Sequence, residues 1–424
     1  MTTILGRTAA TIVALVSLAA SATTATAATA APESVDLKTE ADAVFGKARY
    51  VAAAGDVNGD GPDDFTASFC SAEPLGRVYV VFGGSSGGLG EMDDLQDGFI
   101  IEASTHGNNI CGMETPAGDL NGDGLDDLLV GSFNANNNER GSSGTVYVVF
   151  GKADTERVDL GAFDRGEQGD AGYRIDSPYA GARAGYETAG LGDVNGDGIP
   201  DQALTNPWAG LTYVVYGKRD SEPIDLLDFY NEPESAPGFM VRTVSTDWLS
   251  DMKVASAGDA DGDGRDDIVI GAPWTTSGFR PGTAYVVYGK RGHGAVELWR
   301  LKRNNKVKGY RIQGEDDHDK FGKSVSAVGD FNGDGLADIV VGAESSTQRR
   351  RRGAGSACVI YGRHRTKRLE VTDRGRWGFR IDGPKRDQLV GWVAGPGDIS
   401  GDGIPDILVN TLVDSTLYAW FGER

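Results

Sequence analysis

The chain reads as all-β, a β-propeller of six four-stranded blades closed by an N-terminal strand, and three observations carry that expectation. One nine-residue acidic pattern recurs six times, at residues 56–64, 119–127, 193–201, 259–267, 330–338 and 398–406. Successive copies start 63, 74, 66, 71 and 68 positions apart, too long for a leucine-rich or ankyrin unit and suited to a four-stranded sheet with its loops. With 62 glycines in 424 residues, the composition argues for many short strands joined by turns and against a helical bundle.

Each repeat reads in the same order. A run of small and apolar residues such as Ser324-Val325-Ser326-Ala327-Val328-Gly329 ends at the first Asp and forms strand one. Beyond the acidic loop comes strand two, as in Asp127-Leu128-Leu129-Val130-Gly131 or Asp267-Ile268-Val269-Ile270-Gly271-Ala272-Pro273, stopped by Gly and Pro. Strand three is the most regular, from Val78-Tyr79-Val80-Val81-Phe82-Gly83 in the first copy to Tyr418-Ala419-Trp420-Phe421-Gly422 in the last. Its near-continuous apolar character predicts that both faces are covered, as when sheets stack around a ring. Strand four appears five times, each after a Gly: Phe99-Ile100-Ile101, Tyr173-Arg174-Ile175, Phe239-Met240-Val241, Tyr310-Arg311-Ile312 and Phe379-Arg380-Ile381. A sixth copy is missing after the last strand three, so residues 33–45 are expected to complete blade six and remove the free edge.

Residues 1–30 read as a secretory signal, with Arg7 as the only charge, an apolar run and small-residue cleavage sequences; residues 31–424 form the propeller domain. No later stretch reaches the ~20 apolar residues of a membrane span. The formal charge of −21 disfavours a polyanionic partner such as nucleic acid.

The repeated loop has calcium geometry. Oxygen-bearing side chains fall at positions one, three, five and nine, Gly stands at six for the sharp bend, and position seven offers a carbonyl. The expected ligands are Asp56, Asn58, Asp60, Pro62 and Asp64 in the first loop and Asp119, Asn121, Asp123, Leu125 and Asp127 in the second. The third and fourth loops supply Asp193, Asn195, Asp197, Ile199 and Asp201, then Asp259, Asp261, Asp263, Arg265 and Asp267. The last two supply Asp330, Asn332, Asp334, Leu336 and Asp338, then Asp398, Ser400, Asp402, Ile404 and Asp406, where Ser400 is the poorest ligand. Turn preference accounts for Asp, Asn and Gly, but not for an acid at position nine in every copy. Six divalent ions would carry the formal charge from −21 to −9. Exported calcium modules work at dissociation constants of ~10⁻⁴ to 10⁻³ M, so Ca²⁺ is expected in a structural role.

These residues resemble the FG-GAP repeats of the integrin α-subunit β-propeller: Gly271-Ala272-Pro273 closes strand two of blade four, Phe321-Gly322 opens blade five, and Gly342-Ala343-Glu344 follows its loop. The resemblance extends from Phe45 to the C-terminus, with Ile110-Cys111 in place of Phe-Gly, Asn206-Pro207 in place of Ala-Pro, and six units where integrins have seven. It implies adhesion to an extracellular protein or glycan ligand, although the same propeller also occurs in secreted lectins and beside phospholipases.

With strands alternating in direction, the acidic loops share one face with the connections between strands three and four. The opposite face is then expected to carry Trp208, Trp274 and the run Arg349-Arg350-Arg351-Arg352, where aromatic and guanidinium groups suit an anionic glycan or carboxylates. Between Lys290 and Arg386 lie 23 of the 41 basic residues, a basic sector favouring an anionic ligand. Cys70 and Cys111 fall near strand ends on one face and are expected to form a disulfide, with Cys358 a buried thiol. Gly84-Ser85-Ser86-Gly87-Gly88 has the spacing of a nucleophile elbow but lacks a following helix, and His106, His293, His318 and His364 lie on different blades. Adhesion is therefore the first reading, and an extracellular polysaccharide lyase or hydrolase the alternative.

Overall fold

The computed structural model describes residues 50–69, 76–83, 95, 97–103, 110, 114–243, 251–274, 281–301, 309–348, 350–364, 368–371 and 377–422. The leader expected at 1–30, the closing strand expected at 33–45, Cys70, residues 84–88, His106, Cys111 and Arg349 lie outside them.

Six sheets form a six-bladed propeller. Blade two runs Glu114–Gly118, Asp127–Ser132, Thr145–Val149 and Gly172–Asp176, each strand antiparallel to the one before. Blades one, three, four and five repeat this plan, and blade six has Val390–Gly397, Asp406–Thr411 and Leu417–Trp420. Strands two and three of blade two are buried along their whole length, which explains the absence of in-out alternation in the sequence. Their side chains interdigitate with those of neighbouring sheets, as where Val80, Phe99 and Ile101 of blade one meet Leu128, Val130 and Tyr147 of blade two. Each such fully buried side chain stabilises the stack by roughly 1.5–3 kcal/mol of transfer free energy.

The four-stranded expectation needs one correction. Blades one to four each gain a short outer strand: Val158–Asp159, Ile224–Asp225, Val296–Glu297 and Arg368–Glu370 pair in parallel with the fourth strands of blades one to four in turn. Each comes from the connection between strands three and four of the next blade, so this connection reaches back and staples neighbouring sheets at the rim. Short helices follow three of them, at Leu160–Arg165, Asp228–Asn231 and Leu298–Arg300. Asp159 caps the first by accepting from the Gly161 amide at 2.8 Å.

A second local feature aims the acidic loops. Strand one ends in a register shift at Gly55, Gly118, Gly192, Gly258, Gly329 and Gly397, all with φ between 60° and 82°. The left-handed bulge explains why Gly-Asp recurs at the loop entry, since a side chain there would be strained.

Candidate metal loops and the opposite face

All six loops adopt one conformation. The carboxylate of residue one accepts the amides of residues five and six at 2.7–3.1 Å, in the first loop from Asp60 and Gly61. Gly at position six has φ between 82° and 105° throughout, the bend anticipated from sequence.

The acid at position nine turns inward. Asp64 accepts from the Val57 amide at 2.9 Å and the Gly83 amide at 2.6 Å, binding loop residue two to the glycine that ends strand three. Asp127, Asp201, Asp267, Asp338 and Asp406 repeat the arrangement, with Gly151, Gly217, Gly289, Gly362 and Gly422 as the strand-three donors, save that the loop donor to Asp201 is the amide of residue three, Asn195, at 3.1 Å. All six carboxylates are buried. Burial outweighs the two amide bonds and, with the other loop acids, pushes Asp64 up to about 6, Asp127, Asp201 and Asp338 to about 7, and Asp267 to about 8. An acid ionised in such a place gains from a neighbouring cation. In the fourth loop, Asp259, Asp261 and Asp267 each bring an oxygen within 4.8 Å of the others. A donor set of carboxylates, amide oxygens and carbonyls fits a hard divalent cation, while one charge of this loop is balanced by Arg265 on Asp263 at 2.8 Å.

Neighbouring loops are also joined, a feature missed in the sequence. Residue eight of one loop grips residue one of the loop before it: Asp126 exchanges two hydrogen bonds of 3.0 Å with the Asp56 backbone, and Asp266 does the same for Asp193 at 2.8 and 3.0 Å. Pro200 and Pro405 occupy position eight in the third and sixth loops, where no amide is available to donate. From the next blade, Arg291 donates to the carbonyls of Asn195 at 3.1 Å and Gly196 at 2.7 Å, and His364 Nδ1 meets the Asp261 carbonyl at 2.5 Å. His364 therefore belongs to a loop contact.

The opposite face carries Trp208 and Trp274, both exposed, as the topology requires. The structure adds Trp392, from strand one of blade six, with Lys253 of blade four 5.2 Å from its ring centre, so that the pair meets across the hub. Trp208 has Arg183 at 5.2 Å and Trp274 has Lys320 at 5.1 Å. A chain of alternating charge joins three blades here: Glu187 pairs with Lys253, Asp251 with Lys323, and Glu344 with Lys320, with links of 3.9 Å from Lys253 to Asp251 and from Lys323 to Glu344. Burial raises the Glu187 pKa and Lys253 opposes the rise. Contacts between blades have no local sequence signal, so Trp392 was not legible as part of this face.

The arginine run divides. Arg350 and Arg352 are exposed, whereas half-buried Arg351 donates to the carbonyls of Gly383 at 2.8 Å and Pro384 at 2.7 Å. Cys358 is a buried free thiol, its pKa pushed up to about 12 by burial. Among the described residues, no helix is long and apolar enough to cross a membrane.

Comparison with known proteins gives FG-GAP repeats at residues 112–149, 254–287 and 321–357, in blades two, four and five. Blade three, with Asn206-Pro207, lies outside the matches. Integrin alpha pat-2 of Caenorhabditis elegans is 27% identical over 251 residues, covering 56% of this chain and 18% of the relative. Phosphatidylinositol-glycan-specific phospholipase D of Mus musculus is 28% identical over 230 residues, 51% of this chain and 24% of that protein. Integrin alpha-6 of Gallus gallus is 32% identical over 162 residues, 37% of this chain and 13% of the relative. The matched region thus spans less than a quarter of the length of each relative. The chain therefore carries FG-GAP repeats in three blades of a six-bladed propeller and is similar over part of its length to integrin α-subunits.

Proposed function

We propose that this is a secreted, calcium-stabilised propeller whose face opposite the acidic loops binds an extracellular protein or glycan ligand, an anionic one by preference. The observation that carries the reading is the set of three exposed tryptophans, Trp208, Trp274 and Trp392, each with a cation against its ring on that one face. An indole held by a cation on one side offers its other side for stacking, and the alternating charges around the hub supply donors and acceptors to hydroxyl or carboxylate groups. Arg350 and Arg352 extend the positive rim of this surface, and the basic sector between Lys290 and Arg386 favours anionic partners.

Calcium in the six loops acts structurally in this reading, held by residues one, three, five and nine and the carbonyl of residue seven. The leader at residues 1–30 accounts for export.

The test is binding of the calcium-loaded protein to a glycan array and to anionic cell-surface polymers. Trp274→Ala and Trp392→Ala should each weaken binding about tenfold or more, the loss expected of a central aromatic contact, with little change in thermal stability. Affinity for an anionic ligand should fall as salt rises. Unchanged binding by both variants overturns the assignment of this face, and release of soluble fragments from a polysaccharide would favour the lyase or hydrolase alternative.

A further inference from the structure

The connection between strands three and four starts the same way in blades two, three and four. A lysine follows the glycine that ends strand three and lays its ammonium over an aromatic ring in strand four of the blade before. Lys152 is 5.3 Å from the Phe99 ring centre, Lys218 is 4.5 Å from that of Tyr173, and Lys290 is 4.1 Å from that of Phe239. Each lysine also donates to the carbonyl four residues on, that of Glu156, Glu222 or Gly294.

The counter-charge is what differs. In blade two, Asp154 pairs with Lys152 at 2.6 Å and accepts the Glu156 amide at 2.9 Å. In blade three, Asp220 pairs with Lys218 and accepts the Glu222 amide at 3.0 Å. The lysine holds each of these aspartates below the usual carboxylate range. Blade four reads Lys290-Arg291-Gly292-His293-Gly294 where the others read Lys152-Ala153-Asp154-Thr155-Glu156 and Lys218-Arg219-Asp220-Ser221-Glu222, so both acids have become glycine. Among the described residues, Lys290 has no paired acid and the Gly294 amide has no acceptor. Burial with no acid beside it pushes the Lys290 ammonium down to about 8.

The backbone does not demand these glycines. Neither Gly292 nor Gly294 has a left-handed φ, and a Cβ on either would meet no atom within 4 Å. The space that an aspartate fills in blades two and three is therefore open, and the two donors that it joins there are left without it. His293, between the two glycines, has a buried Nδ1 with no hydrogen-bond partner. The Tyr216 hydroxyl of blade three fixes the connection by donating to the carbonyls of Lys290 at 2.9 Å and Gly292 at 3.1 Å.

We propose that this connection of blade four is a carboxylate-binding site, in which a carboxylate from outside the chain takes the place of Asp154 and Asp220 and accepts from Lys290 Nζ and the Gly294 amide. The site lies on the loop face, beside loop three, and is separate from the tryptophan face. Ionised partners make the stronger class of hydrogen bond, while exposure to water keeps the affinity for a single carboxylate modest.

The test follows the Gly294 amide by NMR in the calcium-saturated full chain. Acetate should move this resonance with a dissociation constant on the order of 10 mM, and Lys290→Gln should weaken the response about fivefold. Gly292→Asp supplies the acid from within, so it should abolish the response and bring the free resonance close to its acetate-saturated position. Gly292→Ala adds a Cβ without the charge and should keep the affinity within about twofold. All variants share the acidic loops, so differences between them do not arise from acetate meeting calcium. No movement with acetate, an unchanged response in Lys290→Gln, equal loss in Gly292→Ala and Gly292→Asp, or an equal response to neutral maltotriose would each overturn the site. With the site upheld, trigalacturonate binding tenfold or more tighter than acetate identifies a uronate glycan as the source of the carboxylate, and equal affinity identifies a small free acid.

Discussion

On the loop face, the position-nine aspartate of every blade accepts a loop amide and the amide of the glycine after strand three, from Val57 and Gly83 on Asp64 to Ile399 and Gly422 on Asp406, the loop amide being that of residue two except in blade three, where it is Asn195. On the opposite face, the turn after strand two holds Trp208 in blade three, Trp274 in blade four and half-buried Arg351 in blade five. A group present in all six blades cannot distinguish one position around the ring from another, so in the proposed reading discrimination between ligands falls to the unrepeated face. The repeated loops set the frame on which those side chains are held.

Metal removal should separate the two faces most strongly. At ten times the dissociation constant, each filled loop adds about 1.4 kcal/mol, so six loops together add roughly 8 kcal/mol. Chelator should lower the thermal midpoint steeply, and added calcium should restore it in a concentration-dependent way. A melting curve indifferent to both would remove the metal role from the loops and leave only their hydrogen bonds.

Those hydrogen bonds have their own expected effect. Asp201→Ala leaves the buried amides of Asn195 and Gly217 without acceptors, which costs about 1–3 kcal/mol each. Denaturation in the presence of chelator should therefore show a loss of roughly 3–4 kcal/mol. If the loss appears only with calcium present, the carboxylate acts through the metal alone.

The six-fold period, the loops and strand three were legible because each is a contiguous run whose residue types follow from local geometry: Gly for the bend, Asp for the amides, Val and Tyr for a strand buried on both faces. The rim strands were not, since two residues have no measurable periodicity and Val158 finds its partner Ile101 in another blade. Their pattern becomes visible only once the pairing is known. The same holds for Trp392, which meets Lys253 across the hub, and for Arg351, whose place in a run of four arginines suggested ligand binding rather than a backbone contact.

A buried acid on the unrepeated face gives the smallest effect and the sharpest contrast with the loops. Asp319 lies in the connection from blade four to blade five, buried, and accepts the Asp316 amide at 3.0 Å. Burial, with Asp316 and Glu315 nearby, pushes its pKa up to about 7 against the opposing effects of that amide and Arg380. The folded chain therefore binds this proton more tightly than the unfolded chain, and the contribution of Asp319 to stability declines as pH rises from about 4 to about 7. Asn at 319 keeps an oxygen for the Asp316 amide and carries no charge to bury. Asp319→Asn should thus match the parent below pH 4, gain on it through that window, and exceed it by about 2 kcal/mol at pH 8, the ~4 kcal/mol of three pKa units being roughly halved by relaxation around the charge. Urea denaturation across pH, with calcium held saturating, measures the difference. A variant that is equally displaced at every pH would mean that Asp319 is held ionised by its surroundings, as a carboxylate beside a bound cation would be, and the distinction between the two faces would narrow accordingly.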